Sequence, residues 1–189
     1  MRIYDGSPRQ DWEEVLRAIG AFADREKLKE LLLLELDEGF LLQGLGLPAG
    51  GADSDSFGAL AKRTYELLDE QVAQLIDEAA AARTERADGV PHAELDNYFE
   101  QALRVIGAWI DQEKARDVFF FEQDGSFVLR VLHASAGGVV GHRLAEFTKD
   151  EILVMIDAAP QQRGAAAAAA MATPAATPAA ETPPGEASQ

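Results

Sequence analysis

Three arginines in strand-forming segments are the residues whose type and spacing point most directly to chemistry. Arg130 lies inside the apolar segment "SFVLRVLHA", and Arg143 follows the short loop "SAGG". If that loop sets the register of a hairpin, Arg130 faces Arg143, and Arg63 occupies the matching place in an earlier segment. Two like charges across a strand pair repel unless an anion lies between them. The three arginines are therefore a candidate site for a carboxylate-bearing partner or a small acidic ligand. The alternative is that Asp and Glu side chains of the chain itself pair with them.

Two histidines of the same hairpin are the candidate metal ligands. His133 and His142 are expected on one face as diagonal neighbours, with Glu146 further along. Two imidazoles and a carboxylate can hold a metal ion. The alternative is that the imidazoles lie at the wet end of an apolar face and bind no metal. The matching positions of the earlier segment, Gly46 and Lys62, are not ligands of this kind, so we predict neither a metal nor a cofactor.

Composition restricts the classes of function. The chain has no cysteine, which excludes disulfides and thiol nucleophiles and suits a reducing cytoplasm. A formal net charge of −16 opposes binding to nucleic acid or anionic lipid. No apolar run is long enough to span a membrane, and the first residues lack the apolar stretch of a signal peptide. Nucleophile-elbow and phosphate-loop motifs are missing as well, so we predict no catalytic residue.

The chain contains an internal repeat. "RAIGAFADREK" at 17–27 returns as "RVIGAWIDQEK" at 104–114, and a shift of 87 residues aligns 16–51 with 103–138. More than a third of the aligned positions are identical. Beyond a shorter second loop the shift becomes 80 and matches Arg63 with Arg143. The predicted fold class is α+β, a tandem duplication of one α-β-β-β-α unit with antiparallel sheets related by a pseudo-twofold axis.

Four segments follow from the repeat. We predict a first repeat at 1–88, a linker at 89–94, a second repeat at 95–163 and a disordered Ala/Pro-rich tail at 164–189. Ser7 before Pro8 predicts the start of the first helix. "TKDEILVMIDAA" predicts the start of the last helix, with a good cap and an acidic first turn.

The repeated helix contains a glycine and a charged pair. Gly20 and Gly107 fall in mid-helix, where glycine costs up to about 1 kcal/mol relative to alanine, so we predict a close crossing at each. Glutamates four residues before an arginine, at Glu13–Arg17 and Glu100–Arg104, predict pairs within each helix on the solvent surface.

Both faces of the predicted hairpins are apolar. A turn at Asp124-Gly125 pairs Glu122 with Phe127, Phe120 with Leu129 and Val118 with Val131. Alternation then turns another set of residues to the opposite face: Phe119, Phe121, Val128, Arg130, Leu132, and in the first copy Leu32, Leu34, Leu41 and Leu45. Helices can cover one face only, so the sheet of the sister copy, another chain or a client protein must cover the other. We expect the sister copy to do so.

The hairpins "LLLLELDEGFLLQGL" and "VFFFEQDGSFVLRVL", followed by "TKDEILVMIDAA", resemble the type III secretion chaperones and the similar YbjN-like proteins. The resemblance covers most of 9–163 as a pattern, and the tandem duplication departs from it. It implies a non-enzymatic role in binding a partner and transfers no site residue.

The leading hypothesis is a cytoplasmic, non-catalytic protein-interaction module, chaperone-like or an adaptor, that binds a polypeptide through a hydrophobic sheet face or groove. The alternative is a regulatory domain that senses a small anionic ligand through Arg63, Arg130 and Arg143. A third hypothesis is an enzyme of unknown class. We expect a monomer with a pseudo-dimeric core or a homodimer, with no nucleic acid and no membrane as partner.

Overall fold

The computed structural model describes residues 11–46, 61–86, 97–113, 117–123, 126–134 and 140–172, and this part of the chain is α+β. Each half contains a helix, three antiparallel strands and a second helix. The elements in chain order are α1 (Trp12–Arg25), β1 (Lys29–Leu36), β2 (Gly39–Gly46), β3 (Ala61–Leu68), α2 (Asp69–Arg86), α3 (Tyr98–Glu113), β4 (Asp117–Gln123), β5 (Ser126–Ala134), β6 (Val140–Phe147) and α4 (Lys149–Ala172).

The chain divides into two compact units, 1–157 and 158–189. The first contains both β-halves, and the second contains the C-terminal part of α4, including Pro160. Helix α4 continues to Ala172, so the alanine run at the start of the segment 164–189 extends the helix, and the disorder of that segment stays a prediction. Residues 173–189 and the linker 89–94 lie outside the described residues. The repeat limits 1–88 and 95–163 stay predictions.

Helix α4 begins with a reciprocal cap, as its sequence predicts. The Thr148 Oγ1 atom accepts a hydrogen bond from the Glu151 backbone N–H at 3.3 Å. The Glu151 carboxylate accepts in return from the Thr148 backbone N–H at 2.8 Å. Both side chains thus satisfy backbone donors that the first turn of a helix leaves without partners.

The two β-halves join edge to edge. The strand order is β3-β2-β1-β4-β5-β6, so two three-stranded antiparallel halves meet in one six-stranded sheet. The junction pairs β1 with β4 antiparallel, with Leu33 opposite Phe120 at its centre. The prediction that the sister copy covers a sheet face is therefore wrong. Pairing β1 with β4 gives hydrogen-bond partners to the backbone donors and acceptors along both strands. Face-to-face packing of the two halves would leave those groups without partners from a strand.

The hairpin register matches the sequence prediction. Glu122 pairs with Phe127, Phe120 with Leu129 and Val118 with Val131. The predicted turn residues, 124–125, lie outside the described part. The third strand of each half also pairs equivalently with its neighbour, because Arg63 lies opposite Gly44 and Arg143 lies opposite Val131.

Helices α1 and α3 cover one side of the sheet, which we call the near face. Trp12 of α1 meets Phe40 edge-on with ring centroids 6.0 Å apart, and Trp109 of α3 meets Phe147 at 5.2 Å. The strand side chains beneath the helices are buried apolar residues, among them Leu31, Leu33, Phe40, Leu42, Leu67, Phe127, Leu129 and Val131. The hydrophobic core therefore lies between the near face and this helix pair.

Carboxylates accept hydrogen bonds from the first turn of α1. Asp11 is the N-cap, in extended conformation, and its carboxylate accepts a hydrogen bond from the Glu14 N–H at 2.9 Å. Asp111 of α3 accepts two more, from the Trp12 and Glu13 N–H groups, both at 3.0 Å. Burial raises the pKa of the Asp111 carboxyl above its ordinary value, and the two backbone donors oppose that shift. Two carboxylates therefore cap α1 where it begins, at Trp12. The cap predicted at Ser7 and Pro8 lies outside the described residues.

The same contact recurs at the start of α3. Asp24 of α1 accepts hydrogen bonds from the Phe99 N–H at 3.0 Å and the Glu100 N–H at 2.8 Å. Asp24 and Asp111 are matching positions of the 87-residue shift. Each of the two helices therefore caps the N-terminus of the other, where a carboxylate also interacts favourably with the helix dipole.

Glycine makes this contact possible. A Cβ atom on Gly20 would overlap the carbonyl group of Phe99, and one on Gly107 would overlap the carbonyl group of Trp12. The predicted close crossings are confirmed. Each glycine lets the backbone of one helix approach the first turn of the other, at a distance that a side chain would forbid.

The charged pairs cross between the helices. Arg17 Nε lies 3.2 Å from Glu100 Oε1, and Arg104 Nη1 lies 3.5 Å from Glu13 Oε1. Glu100 and Arg104 are buried. The prediction of solvated pairs within each helix is wrong, because the close crossing brings the partner helix within reach. Burial is the largest influence on the Arg17 guanidinium, and it lowers the Arg17 pKa.

We expect Gly20→Ala and Gly107→Ala each to lower the free energy of unfolding by about 1–3 kcal/mol, since the added methyl forces two backbones apart. Gly141→Ala is the control, because a Cβ there meets nothing within 4 Å. Urea unfolding followed by circular dichroism measures all three. Equal effects in the three variants would contradict the close crossing.

A double-mutant cycle on Arg17→Met and Glu100→Gln should give a coupling energy of about 1–3 kcal/mol, because the pair is shielded from water. The control is a cycle on Arg25→Met and Glu78→Gln, a pair of similar length, 3.1 Å, but exposed. Its coupling should be smaller, since solvent screens it. A larger coupling at the exposed pair would show that the cross-helix pair contributes little.

Candidate functional site on the far face of the sheet

The side of the sheet opposite α1 and α3, which we call the far face, has no buried side chain among its described positions. Leu144 is 68% exposed, Leu68 46% and Leu36 37%. Between them lie half-buried apolar side chains, Leu32, Leu34, Leu41, Leu45, Val128 and Leu132. The contrast with the buried near face shows that the described elements within 1–157 do not bury this side.

The far face continues across the junction of the two halves. Leu41 pairs with Leu34 across β2 and β1. Leu34 pairs with position 119 of β4, and the same row continues through Arg130 to Leu144. This row crosses five strands and aligns Leu41 and Leu34 of one half with Leu144 of the other, with Arg130 beside Leu144.

Charged side chains on this surface include both signs. Lys62 and Arg130 are basic, Glu66 and Glu146 are acidic, and all four are exposed. Lys62 and Glu66 lie on the edge strand β3, Glu146 lies on the edge strand β6, and Arg130 lies one strand inside β6. The balance contrasts with the chain as a whole, which contains 33 acidic and 17 basic residues.

The structure separates the three arginines that the sequence brings together. Arg130 pairs with Leu144, and Arg143 pairs with Val131. Because the register differs by one residue from the expected one, Arg130 lies on the far face and Arg143 on the near face. The predicted opposition of Arg130 and Arg143 is wrong, and Arg63 shares the near face with Arg143.

Carboxylates of the chain itself pair with the two near-face arginines, as in the alternative interpretation. Arg63 Nη1 lies 3.2 Å from Glu26 Oε2. Arg143 Nη1 lies 2.7 Å from Glu113 Oε2, and its guanidinium lies 5.4 Å from the ring centre of Trp109. Glu26 and Glu113 are identical positions of the 87-residue shift, a signal from which sequence reasoning could have found both pairs.

Tyr65 completes the first of these clusters. Its hydroxyl donates a hydrogen bond to Glu26 Oε2 at 3.0 Å and accepts one from Arg63 at 3.4 Å. Partial burial and the bond to Glu26 raise the Tyr65 pKa above its ordinary value. The hydroxyl, the carboxylate and the guanidinium satisfy one another, so the cluster is a structural contact between strand and helix end.

The two histidines do not form the expected pair. His133 pairs with Gly141, and His142 pairs with Leu132. Neighbouring pairs in a ladder alternate between faces, so the two positions lie on opposite sides of the sheet and the prediction of a shared face is wrong. Within the described ranges, no group of three or more His, Asp or Glu side chains is arranged to hold a metal ion.

A cavity of about 400 Å³ lies between α1, α2 and the start of α3. Alanines such as Ala18, Ala21 and Ala79 contribute to its wall. Its three carboxylates are already engaged: Asp24 caps α3, Glu78 pairs with Arg25, and Glu100 pairs with Arg17. The wall of this cavity therefore provides mainly packing contacts, because its carboxylates already have hydrogen-bond or ion-pair partners.

No protein-family model matches the sequence, and no curated protein or solved structure is significantly similar to it. In the part of the chain that the structure describes, no helix is long and apolar enough to cross a membrane. The far face is thus the candidate site, on geometry alone.

We expect Arg63→Ala to lower the free energy of unfolding by about 1 kcal/mol, since it leaves Glu26 and Tyr65 without their cation. Arg130→Ala should change it by less than about 0.5 kcal/mol, because the side chain is exposed. Urea unfolding compares the two. A larger loss in Arg130→Ala would indicate that this arginine has a structural partner that its exposure does not suggest.

Proposed function

We propose that the protein is a cytoplasmic, non-catalytic interaction module that binds a polypeptide through the far face of its sheet. The observation that supports this most strongly is the contrast between the two faces. The near face is buried under α1 and α3, whereas Leu144, Leu68 and Leu36 of the far face are exposed. Exposed apolar side chains gathered on one side of a sheet commonly mark a site of interaction.

The chemistry of the face favours a protein as partner. Aliphatic side chains dominate it, and they gain most from burial against other apolar side chains. The net charge of −16 opposes nucleic acid and anionic lipid. The proposed similarity to type III secretion chaperones and YbjN-like proteins agrees with this role, since it implies binding of a polypeptide without catalysis.

We further propose that a tandem duplication produced the two halves. Two independent sets of observations support it. The 87-residue shift of the sequence relates Gly20 to Gly107 and Asp24 to Asp111, and each residue makes the same contact with the other half. The shift of 80 residues relates Arg63 to Arg143, and the strand register does the same.

The anion-sensing alternative has lost the observation that motivated it. Arg63 and Arg143 pair with glutamates on the near face, and Arg130 lies on the other side of the sheet. No specific observation favours an enzyme either, so the interaction module is the function we retain.

Capture experiments on the tagged full chain test this function. Leu144→Glu places a charge in the apolar row of the far face, and we expect it to reduce recovery of any polypeptide that the wild-type chain retains from native lysate at least tenfold. Untagged copies of the chain count among those polypeptides. Mass spectrometry quantifies the recovery.

Val154→Glu is the matched control. Val154 is 67% exposed, close to the 68% of Leu144, but it lies on α4. Recovery should be unchanged in this variant. Equal recovery with wild type, Leu144→Glu and Val154→Glu would show that the far face does not bind the partner.

A further inference from the structure

We propose that the polypeptide bound by the far face is a second copy of this chain, seated face to face through a twofold axis. This inference rests on the proposed function, because it names the partner of the same surface. It differs from the contact within the chain, where the two halves meet edge to edge through β1 and β4.

The width of the face is the first reason. Six strands at about 4.8 Å spacing make a surface about 24–29 Å wide, whereas a helix with its side chains is about 10–12 Å across. A single helix would cover less than half of it and leave either Leu41 and Leu34 or Leu144 in water. A partner of equal width covers the whole row, and the same sheet in a second copy has that width.

The area is the second reason. Strands of seven to nine residues, at about 3.3 Å per residue and about 4.8 Å between strands, give a face of about 750 Å². That is close to the roughly 800 Å² that each partner contributes to a standard stable interface. A dimer through this face therefore reaches the size that stable association requires, without help from another surface.

Twist and symmetry are the third reason. Antiparallel sheets share a right-handed twist, and two sheets of equal twist pack in the aligned arrangement, about 30° apart. An identical sheet meets that condition automatically. A twofold axis also makes the interface isologous. The same patch is then buried on both copies, so one set of apolar side chains forms both sides of the interface.

Charge is the fourth reason. Two chains with a net charge of −16 each repel, so they can approach only where acids do not dominate. On the far face the exposed bases Lys62 and Arg130 balance the exposed acids Glu66 and Glu146, and all but Arg130 lie on the edge strands β3 and β6. Self-association is therefore less opposed by charge here than over an average part of this acidic surface.

Sedimentation equilibrium of the full chain tests the association. We expect twice the chain mass of 20.4 kDa at micromolar concentration. Leu144→Glu should raise the dimer dissociation constant at least tenfold, and Val154→Glu should leave it unchanged. A single mass of 20.4 kDa at every concentration would overturn the second copy as partner.

A single introduced thiol locates the contact, because the chain has no cysteine. In Leu144→Cys, maleimide labelling should slow at least tenfold as protein concentration rises through the dissociation constant. In Val154→Cys it should be independent of concentration. Both original side chains are exposed, so neither substitution disturbs the core.

The outcomes separate this inference from the function on which it rests. A monomer with a rapidly labelled Leu144→Cys overturns the second copy and leaves the face open for a different polypeptide. A monomer whose thiol reacts slowly at every concentration overturns both, since the chain then covers its own far face. A dimer in which Leu144→Cys is labelled without protection overturns the inference, because the copies then meet elsewhere.

Discussion

The structure depends on the reciprocal contact between α1 and α3. Each helix contributes three residues to the contact with the other helix. A glycine allows the backbone of the other helix to approach, an aspartate caps the N-terminus of the other helix, and an arginine pairs with a glutamate in the first turn of the other helix. These contacts can form only together, because Asp24 and Asp111 reach their donors only when the helices cross closely. Since both helices lie on the near face, the contact also determines where the core is and which side of the sheet it leaves without helices.

The edge-to-edge junction follows from the same arrangement. With α1 and α3 held side by side, the strands that follow them come together as well, and β1 pairs with β4. Their pairing satisfies two strand edges but adds no layer, so it does not itself cover the apolar side chains of the second face. The partner polypeptide that we propose would bury them, and this connects the helix contact to the proposed function.

Much of this fold can be predicted from the sequence. The Asp-Gly turn specifies the β4–β5 register, and the repeated glycines predict a close crossing. Two features were not predictable. Arg17 has a glutamate within its own helix and another across the interface at Glu100, and local spacing cannot decide between them. The predicted pairing of Arg130 with Arg143 assumed that the loop between their strands sets the register, but the length of that loop does not determine it. An error of one residue in the register moves a side chain to the opposite face. Nor could the apolar pattern distinguish an edge junction from stacked sheets, because both place the same residues in strands.

Solvent accessibility of leucine methyl groups in the dilute chain tests the account most directly. With a soluble paramagnetic agent, the methyl protons of Leu32, Leu34 and Leu41 should relax strongly, because these side chains are only half-buried within the part of the chain that the structure describes. Those of Leu31, Leu33 and Leu42, which lie on the same strands but face the helices, should stay shielded. Equal shielding of both sets in a monomer would contradict the claim that α1 and α3 bury one face of the sheet and leave the other accessible.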